Sequence, residues 1–150
     1  MSRVTFLKIA RYDGRRPGGP GGRLGMSFRE EIKVGGSSPK GAYSRGIRLG
    51  DFLFVSGQVP RDFETGELLG KTVAEQTRAV VANLSRVLEE GGMSLASVVS
   101  VTAYLQDIGD WDAFDAVYRE LFSAPYPTRT TVGANLHGVL VEISAIAASG

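Results

Sequence analysis

The 150-residue chain has no cysteine and a single histidine, His137. The absence of cysteine excludes disulfides, thiolate nucleophiles and zinc-thiolate sites, and one histidine cannot form a metal cluster alone. No apolar run approaches the roughly 18 residues of a membrane span, and the first ten residues are too short for the apolar core of a secretory signal. We therefore expect a cytoplasmic protein whose chemistry depends on neither a metal nor a cysteine.

The net charge of +1 conceals an uneven distribution along the chain. Residues 1–50 carry eleven Lys/Arg against three Asp/Glu, a balance of +8, whereas residues 51–150 carry six against thirteen, a balance of −7. A basic arm can bind nucleic acid, but these cations are scattered among glycines without interleaved aromatic residues on which bases would stack. The pattern favours a solvated arm over an RNA-binding one.

A glycine-rich segment from Gly14 to Gly25 is too poor in side chains to pack and is typical of a linker. We predict that residues 1–36 form a basic, partly flexible N-terminal extension and that residues 37–150 form one domain. Met26 follows the linker directly, so a start of the compact domain near Met26 is an alternative to a start at residue 37.

The domain opens with a predicted hairpin and a predicted helix. Residues 44–49 and 52–56 flank Gly50-Asp51, a two-residue turn of the kind that closes hairpins. Thr72 with Glu75 three residues later forms a capping box, apolar residues then recur at helical spacing, and Gly91-Gly92 end the run.

A strand, a second helix and two further strands follow. Val99, Val101, Ala103 and Leu105 alternate with polar residues, which predicts a strand with one face on the core. Asp110 is the predicted cap of a helix whose stripe comprises Trp111, Phe114, Val117, Tyr118, Leu121 and Phe122. Residues 126–132 and 139–147 complete the set as strands, the last apolar on both faces apart from Glu142 and Ser144.

This order of elements predicts an α+β fold in which two helices pack on one face of a mixed sheet. Two helices do not cover the other face of the sheet. Since an exposed apolar sheet face is a liability, we predict that self-association covers it.

Arg129 and Glu142 stand in the last two predicted strands, and they are the first candidates for chemistry. An arginine offers a planar fork of donors that matches a carboxylate, and a glutamate can orient or deprotonate a water. The alternative is that the two residues only neutralise each other at a sheet edge.

Six segments in the right order, over about 110 residues from Ser37 to Ala147, resemble the RidA family, also called the YjgF family. Gly41-Ala-Tyr-Ser-Arg-Gly46 resembles the family's Gly-Pro-Tyr-Ser, and Phe54-Val-Ser-Gly-Gln-Val-Pro60 its Val-Ser-Gly-Gln-Ile-Pro. Pro127-Thr-Arg-Thr-Thr-Val132 resembles Pro-Ala-Arg-Ser-x-Val. The other three are Glu75–Arg78 with Asn83-Leu84, Asp112–Tyr118, and Leu140-Val-Glu-Ile-Ser-Ala-Ile-Ala147.

The resemblance implies a chorismate-mutase-like fold assembled as a homotrimer with ligand sites between subunits. It also implies hydrolysis of reactive 2-imino or 2-amino-enoic acids, such as 2-iminopropanoate and 2-iminobutanoate, to the 2-oxo acid and ammonia. No cofactor is required for that reaction.

The resemblance also implies roles for individual residues. Arg129 would hold the substrate's carboxylate, and Glu142, at the position of the family's water-holding glutamate, would orient the attacking water. A backbone carbonyl or the hydroxyl near Thr131 would share that water. Tyr43 would line the pocket, and Ser56-Gly57 would bring backbone close to the ligand. For the last three residues, hairpin packing and turn geometry remain the alternative.

Several positions depart from the family pattern. Asp115 replaces a frequent asparagine and adds a negative charge near the anion site if it faces the pocket. Ala42 replaces a proline, Ser144 replaces a second glutamate, and the turn at residues 136–138 is shorter. Such changes would reshape the pocket for a larger imine, for an enamine in a biosynthetic or catabolic route, or for a ligand that is bound without turnover. His137, in the shortened loop, is interpreted as a surface residue, with the pocket rim as the alternative.

Two other functions compete with the deaminase. One is a non-catalytic trimer that binds carboxylate metabolites or a protein partner. The other, suggested by ribonuclease labels within the family, would use the basic arm to bind RNA, but the main domain is acidic and shows no acid-base pair for phosphodiester cleavage. We therefore expect a small-molecule substrate rather than a nucleic acid.

Overall fold

The computed structural model describes residues 28–36 and 38–150, and the predicted linker lies outside them. Within these residues the elements, in chain order, are β1 Glu30–Ile32, β2 Gly46–Leu49, β3 Phe52–Gln58, α1 Val73–Glu90, β4 Val98–Leu105, α2 Trp111–Leu121, β5 Thr128–Gly133 and β6 Val141–Ala148. The strands form one sheet in the order β1-β2-β3-β6-β4-β5, in which only β4 and β5 pair in parallel. The predicted α+β fold is confirmed.

The start of α1 has the predicted capping box. The hydroxyl of Thr72 accepts a hydrogen bond from the backbone N–H of Glu75 at 3.2 Å, and the Glu75 carboxylate accepts one from the N–H of Thr72 at 3.1 Å. Two of the N–H groups that every helix start leaves unpaired are thereby satisfied. After Gly91 the chain turns away at Gly92, whose positive φ of 71° ends the helix.

The predicted cap of α2 is wrong. The Asp110 side chain makes no capping hydrogen bond. A short 3₁₀ turn, Ile108–Asp110, precedes the helix instead, and the carboxylate of Asp107 accepts a hydrogen bond from the N–H of Gly109 at 2.8 Å. Capping at this start therefore occurs one turn earlier than the sequence pattern indicated.

The predicted alternation along β4 holds except at its first member. Val101, Ala103 and Leu105 are buried, but Val99 is 46% exposed. The register between β4 and β6 shifts between Val98 and Ser100, so that Val98 takes the inward position instead. A β-bulge of this kind inserts one residue into the strand. The side chains before the bulge therefore project from the face opposite to the one that strict alternation predicts.

The core lies between the two helices and one face of the sheet. Leu84 of α1, Phe114 of α2 and Ile143 of β6 are fully buried there. Residues of the short strand β1 and the turn after it also belong to this core, since Ile32 and Val34 are buried. Both fall within the stretch that the sequence assigned to the N-terminal extension.

The opposite face of the sheet is not covered by the described residues of the same chain. It carries large apolar side chains that are about half exposed, including Phe52, Phe54 and Val99. Thr102 of β4 and Ser144 of β6 lie side by side between them. We call this surface the open face, and its burial against other copies of the chain remains a prediction.

Among the described residues, no helix combines the length and the hydropathy needed to cross a membrane.

Candidate functional site

Arg129 projects from β5 toward helix α2. Its position in the parallel ladder is opposite Val101, which is buried on the helix-covered face. One guanidinium nitrogen, Nη2, donates a hydrogen bond to Oδ1 of Asp115 at 2.8 Å. The side chain of Arg129 is only 18% exposed, so the edge strand holds a largely buried cation against the helix.

Aromatic rings of α2 surround the guanidinium of Arg129. Its Cζ lies 4.5 Å from the ring centroid of Tyr118, 5.4 Å from that of Phe114 and 5.6 Å from that of Trp111. Cations are attracted to ring faces at such distances, and Tyr118 itself stacks on Phe122 at 4.2 Å. The rings therefore hold the guanidinium close to helix α2.

Asp115 is shared by two arginines. Oδ1 pairs with Arg129, and Oδ2 accepts a hydrogen bond from Nε of Arg119, one helical turn later, at 2.6 Å. Burial raises the pKa of Asp115, but the hydrogen bonds from Arg129 and Arg119 more than offset this and lower the pKa below its usual value. Asp115 is thus a carboxylate at neutral pH, and it does face the pocket beside Arg129.

A cavity of about 320 Å³ opens beside this cluster, lined by Asp115, Tyr118, Arg119, Tyr126, Pro127 and Arg129. The hydroxyl of Tyr118 is buried without a hydrogen-bond partner among the described residues, and burial raises its pKa to about 12. The hydroxyl of Thr131, which projects from β5 on the same face as Arg129, is likewise buried and unpaired. Two buried hydroxyls on the side of Arg129 thus have no hydrogen-bond partner among the described residues.

Glu142 lies on the opposite face of the sheet. It pairs with Tyr104 in the β4–β6 ladder, and its neighbours Val141 and Ile143 point into the core. The carboxylate extends over Gly57, because a Cβ added at that glycine would overlap Oε1 of Glu142 and lie 2.9 Å from its Cδ. Only a residue without a side chain permits this approach.

The environment of Glu142 favours its neutral form. Burial raises the pKa of its carboxyl above the usual value. Within the described part of the chain, no hydrogen bond or ion pair to this carboxylate offsets the burial. A glutamate with a raised pKa and a free carboxylate is suited to accept and return a proton.

Of Tyr43, Ser56 and Gly57, the glycine lies directly against Glu142. Tyr43 and Gly57 line a second cavity of about 320 Å³, and the ring of Tyr43 is exposed. Ser56 donates its hydroxyl proton to the backbone oxygen of Ser44 at 2.6 Å, and its N–H bonds to the oxygen of Arg45 at 3.0 Å. The hydroxyl of Ser56 therefore stabilises the hairpin, while its backbone continues to Gly57 below the carboxylate.

The two principal candidates do not meet within one chain. Arg129 and Glu142 project from opposite faces, and β4 lies between their strands. The alternative in which they neutralise each other is therefore wrong, since the partner of Arg129 is Asp115. We call the Arg129 cluster the anion half-site and the group around Glu142 and Gly57 the water half-site.

The sequence did not single out Arg119, Tyr118 and Tyr126, which complete the anion half-site. The four-residue spacing of Asp115 and Arg119 on a predicted helix was an available signal for one of these contacts. Tyr118 was assigned to the core, where its ring does pack, although it also contacts Arg129. His137 is exposed and lies on the surface, as predicted.

Comparison with known proteins connects this geometry to a family. The model of a family described as "Endoribonuclease L-PSP" matches residues 36–149. A RutC family protein of Pyrococcus abyssi is 44% identical over 111 residues, which cover 73% of this chain and 87% of that protein.

Solved structures give the same result. The crystal structure of RidA from an Antarctic Psychrobacter superposes with a TM-score of 0.75 at 30% identity, covering 81% of this chain and 100% of that one. TdcF of E. coli, solved with bound serine, superposes with a TM-score of 0.73 at 28% identity, covering 81% and 99%. From the match over residues 36–149 and these likenesses, we conclude that the chain belongs to the RidA (YjgF) family.

Proposed function

We propose that the protein hydrolyses reactive 2-imino and 2-amino-enoic acids, such as 2-iminopropanoate and 2-iminobutanoate, to 2-oxo acids and ammonia. The observation that carries the proposal is the guanidinium of Arg129, held against aromatic rings of α2 at the wall of a cavity. Family membership supports a role of the Rid type for such a site.

Arg129 binds the carboxylate of the substrate in this proposal. A guanidinium has five N–H donors, and Asp115 uses one of those on Nη2. The others remain for a second carboxylate, which an arginine can hold in a defined plane. Serine, the ligand of the related TdcF structure, also carries an α-carboxylate next to a nitrogen-bearing carbon, which supports this class of ligand.

Glu142 activates water. Water adds to the C=N carbon while Glu142 takes one of its protons and returns it to the nitrogen, and the adduct then collapses to the 2-oxo acid and ammonia. The raised pKa of Glu142 matches a group that changes its protonation state during the reaction. No metal or organic cofactor enters these steps.

The two half-sites come from different subunits of a homotrimer in this proposal. The anion half-site of one chain meets the water half-site of a neighbour, which accounts for their separation on opposite faces of one sheet. The open face supports such an assembly, because its half-exposed apolar side chains require a covering surface.

The demands on the site are modest. Imines hydrolyse in water unaided, and each tenfold acceleration corresponds to about 1.4 kcal/mol of barrier reduction. Positioning the substrate against one activated water is sufficient for several such factors.

The test is the decay of freshly generated 2-iminobutanoate and 2-iminopropanoate, with semicarbazide as the competing trap. We expect acceleration by the wild type, and a loss of about a hundredfold or more in Glu142→Gln, the scale of general acid-base catalysis. Arg129→Ala should lose a similar factor in kcat/KM. Arg78→Ala is the matched control, since Arg78 is a half-exposed arginine that pairs with Glu120 and lines neither of the two cavities.

Gly57→Ala gives an independent check on Glu142 without altering its carboxylate. The added methyl group must displace that side chain, and displacements of about 1 Å at a reacting group can cost a hundredfold in rate. If the two single variants, Gly57→Ala and Glu142→Gln, both kept full activity, the assigned role of Glu142 would be contradicted.

A second candidate is a protein that binds carboxylate metabolites without turnover. It is favoured by one observation, which is that the related TdcF structure contains serine, a carboxylate ligand without a C=N bond to hydrolyse. Binding of 2-oxobutanoate by a folded wild type that leaves imine decay unchanged would select this function over the deaminase.

A further inference from the structure

The anion half-site contains a built-in carboxylate, and this poses an electrostatic problem for an incoming anion. Asp115 lies 2.8 Å from Arg129 and is itself buried, with 7% of the residue exposed. A lone Arg129–Asp115 pair would be neutral overall. A substrate carboxylate approaching Arg129 would then meet the negative charge of Asp115 at close range.

Arg119 changes this balance. Its Nε donates to Oδ2, the oxygen that Arg129 does not use, so each oxygen of Asp115 has its own arginine. The three side chains carry a net charge of +1. The positive charge remaining after Asp115 is neutralised lies at the wall of the cavity that both arginines line.

We propose that Arg119 is a positioning residue for the proposed reaction: by holding Oδ2 of Asp115, it keeps the charge and the free donors of Arg129 available for the substrate's carboxylate. The inference rests on the proposed function, because it assumes that Arg129 is the anion-binding group. It assigns to Arg119 an indirect role, exerted through Asp115 rather than through contact with the ligand.

The location of Arg119 makes this role separable from folding. The side chain is 66% exposed and reaches Asp115 from one turn further along α2, so it contributes little to the core. Its removal leaves Phe114 and Tyr118, the buried residues of the same helix, in place.

The experiment measures binding of 2-oxobutanoate, a carboxylate that is not consumed, by calorimetry on the full-length chain. We expect Arg119→Ala to weaken binding by about threefold to fivefold, the scale of a single partly exposed ion pair. Arg119→Lys, which keeps a cation beside Asp115, should restore most of the affinity. Glu120→Ala, an exposed neighbour on α2, is the control and should bind as the wild type does.

The double variant decides between an indirect and a direct role. In an Asp115→Asn background the charge that Arg119 balances is gone, so a further Arg119→Ala should leave the affinity unchanged. An equal loss from Arg119→Ala in both backgrounds would mean that Arg119 touches the ligand itself, and would overturn the inference. So would unchanged binding by Arg119→Ala alone, or binding that does not require Arg129.

Kinetics give a second readout and separate the two proposals. If the enzyme turns over imines, Arg119→Ala should raise KM and leave kcat within about twofold, because only the binding of the anion is affected. Intact binding of 2-oxobutanoate without imine hydrolysis would count against the reaction and leave the role of Arg119 standing. A lowered kcat with unchanged KM would overturn that role.

Discussion

Glu142 is a carboxylate that the fold partly buries without a polar partner among the described residues. The sequence identified Glu142 and Arg129 by residue type and by motif. It did not show from which face of the sheet each side chain projects. The face from which a side chain projects depends on how its strand is aligned with the neighbouring strands, because a shift of one residue moves every side chain to the other face. That alignment, and the choice of neighbours, are set by the whole sheet. Asp115 was found as a departure from a pattern, whereas its two arginine partners became visible only in the structure.

The burial of Glu142 predicts a pH-dependent stability. Its pKa is raised in the folded chain, so the favourable contribution of the neutral form is complete below the unfolded pKa, near 4.5, and is lost as the pH rises through the raised value. Glu142→Gln stays neutral throughout. We therefore expect Glu142→Gln to be more stable than the wild type at pH 7.5 and equally stable at pH 4.

Urea unfolding at the two pH values measures this difference. Glu67→Gln serves as the control, because Glu67 is exposed, and it should shift the unfolding midpoint little at either pH. A glutamine variant less stable than the wild type at pH 7.5 would show that the charged form has a stabilising partner in solution.

At the scale of elements, the segments with strong local signals were predicted and the irregular ones were not. Helix α1 has a capping box at one end and paired glycines at the other, and both signals lie within a few residues. The bulge in β4 depends on pairing with another strand, whereas the cap before α2 was missed because Asp107 and Asp110 are both suitable capping residues. Strand β1 has three residues, too few to show a period.

The capping box of α1 predicts a measurable loss on substitution. Thr72→Ala removes the acceptor for the N–H of Glu75 and should lower the free energy of unfolding by about 1 kcal/mol. Urea denaturation at neutral pH measures this. Ser85→Ala, in the middle of the same helix, is the control and should change stability by less than about 0.5 kcal/mol. Equal effects of the two substitutions would argue against the cap.

At the scale of the whole molecule, the uncovered sheet predicts association. The helices protect one face of the sheet, and the sequence pattern correctly indicated that two helices would leave the other exposed. Sequence alone does not give the number of copies, because that number depends on the angle at which two sheets meet. The resemblance to the RidA family supplied the expectation of three.

Placing a charge on the open face tests the assembly. Thr102 lies in the middle of that face opposite Ser144, and an arginine there would have to be buried in any interface that covers it. We expect the wild type to have the mass of three chains in solution, and Thr102→Arg to have the mass of one with unchanged circular dichroism and without imine hydrolysis. Ala82→Arg, on the exposed side of α1, should remain a trimer. A monomeric wild type would contradict both the assembly and the shared site.

The charged cluster around Arg129 lies within one short stretch of chain, since Asp115, Arg119 and Arg129 occupy helix α2 and the strand that follows it. The other half of the candidate site is built from β3 and β6, which are distant in sequence and tied to each other by the sheet. If the proposed function holds, anion binding and water activation are encoded in separate parts of the chain. We would then expect a few substitutions between residues 115 and 129 to change which anion is accepted without altering the proposed water-binding residues.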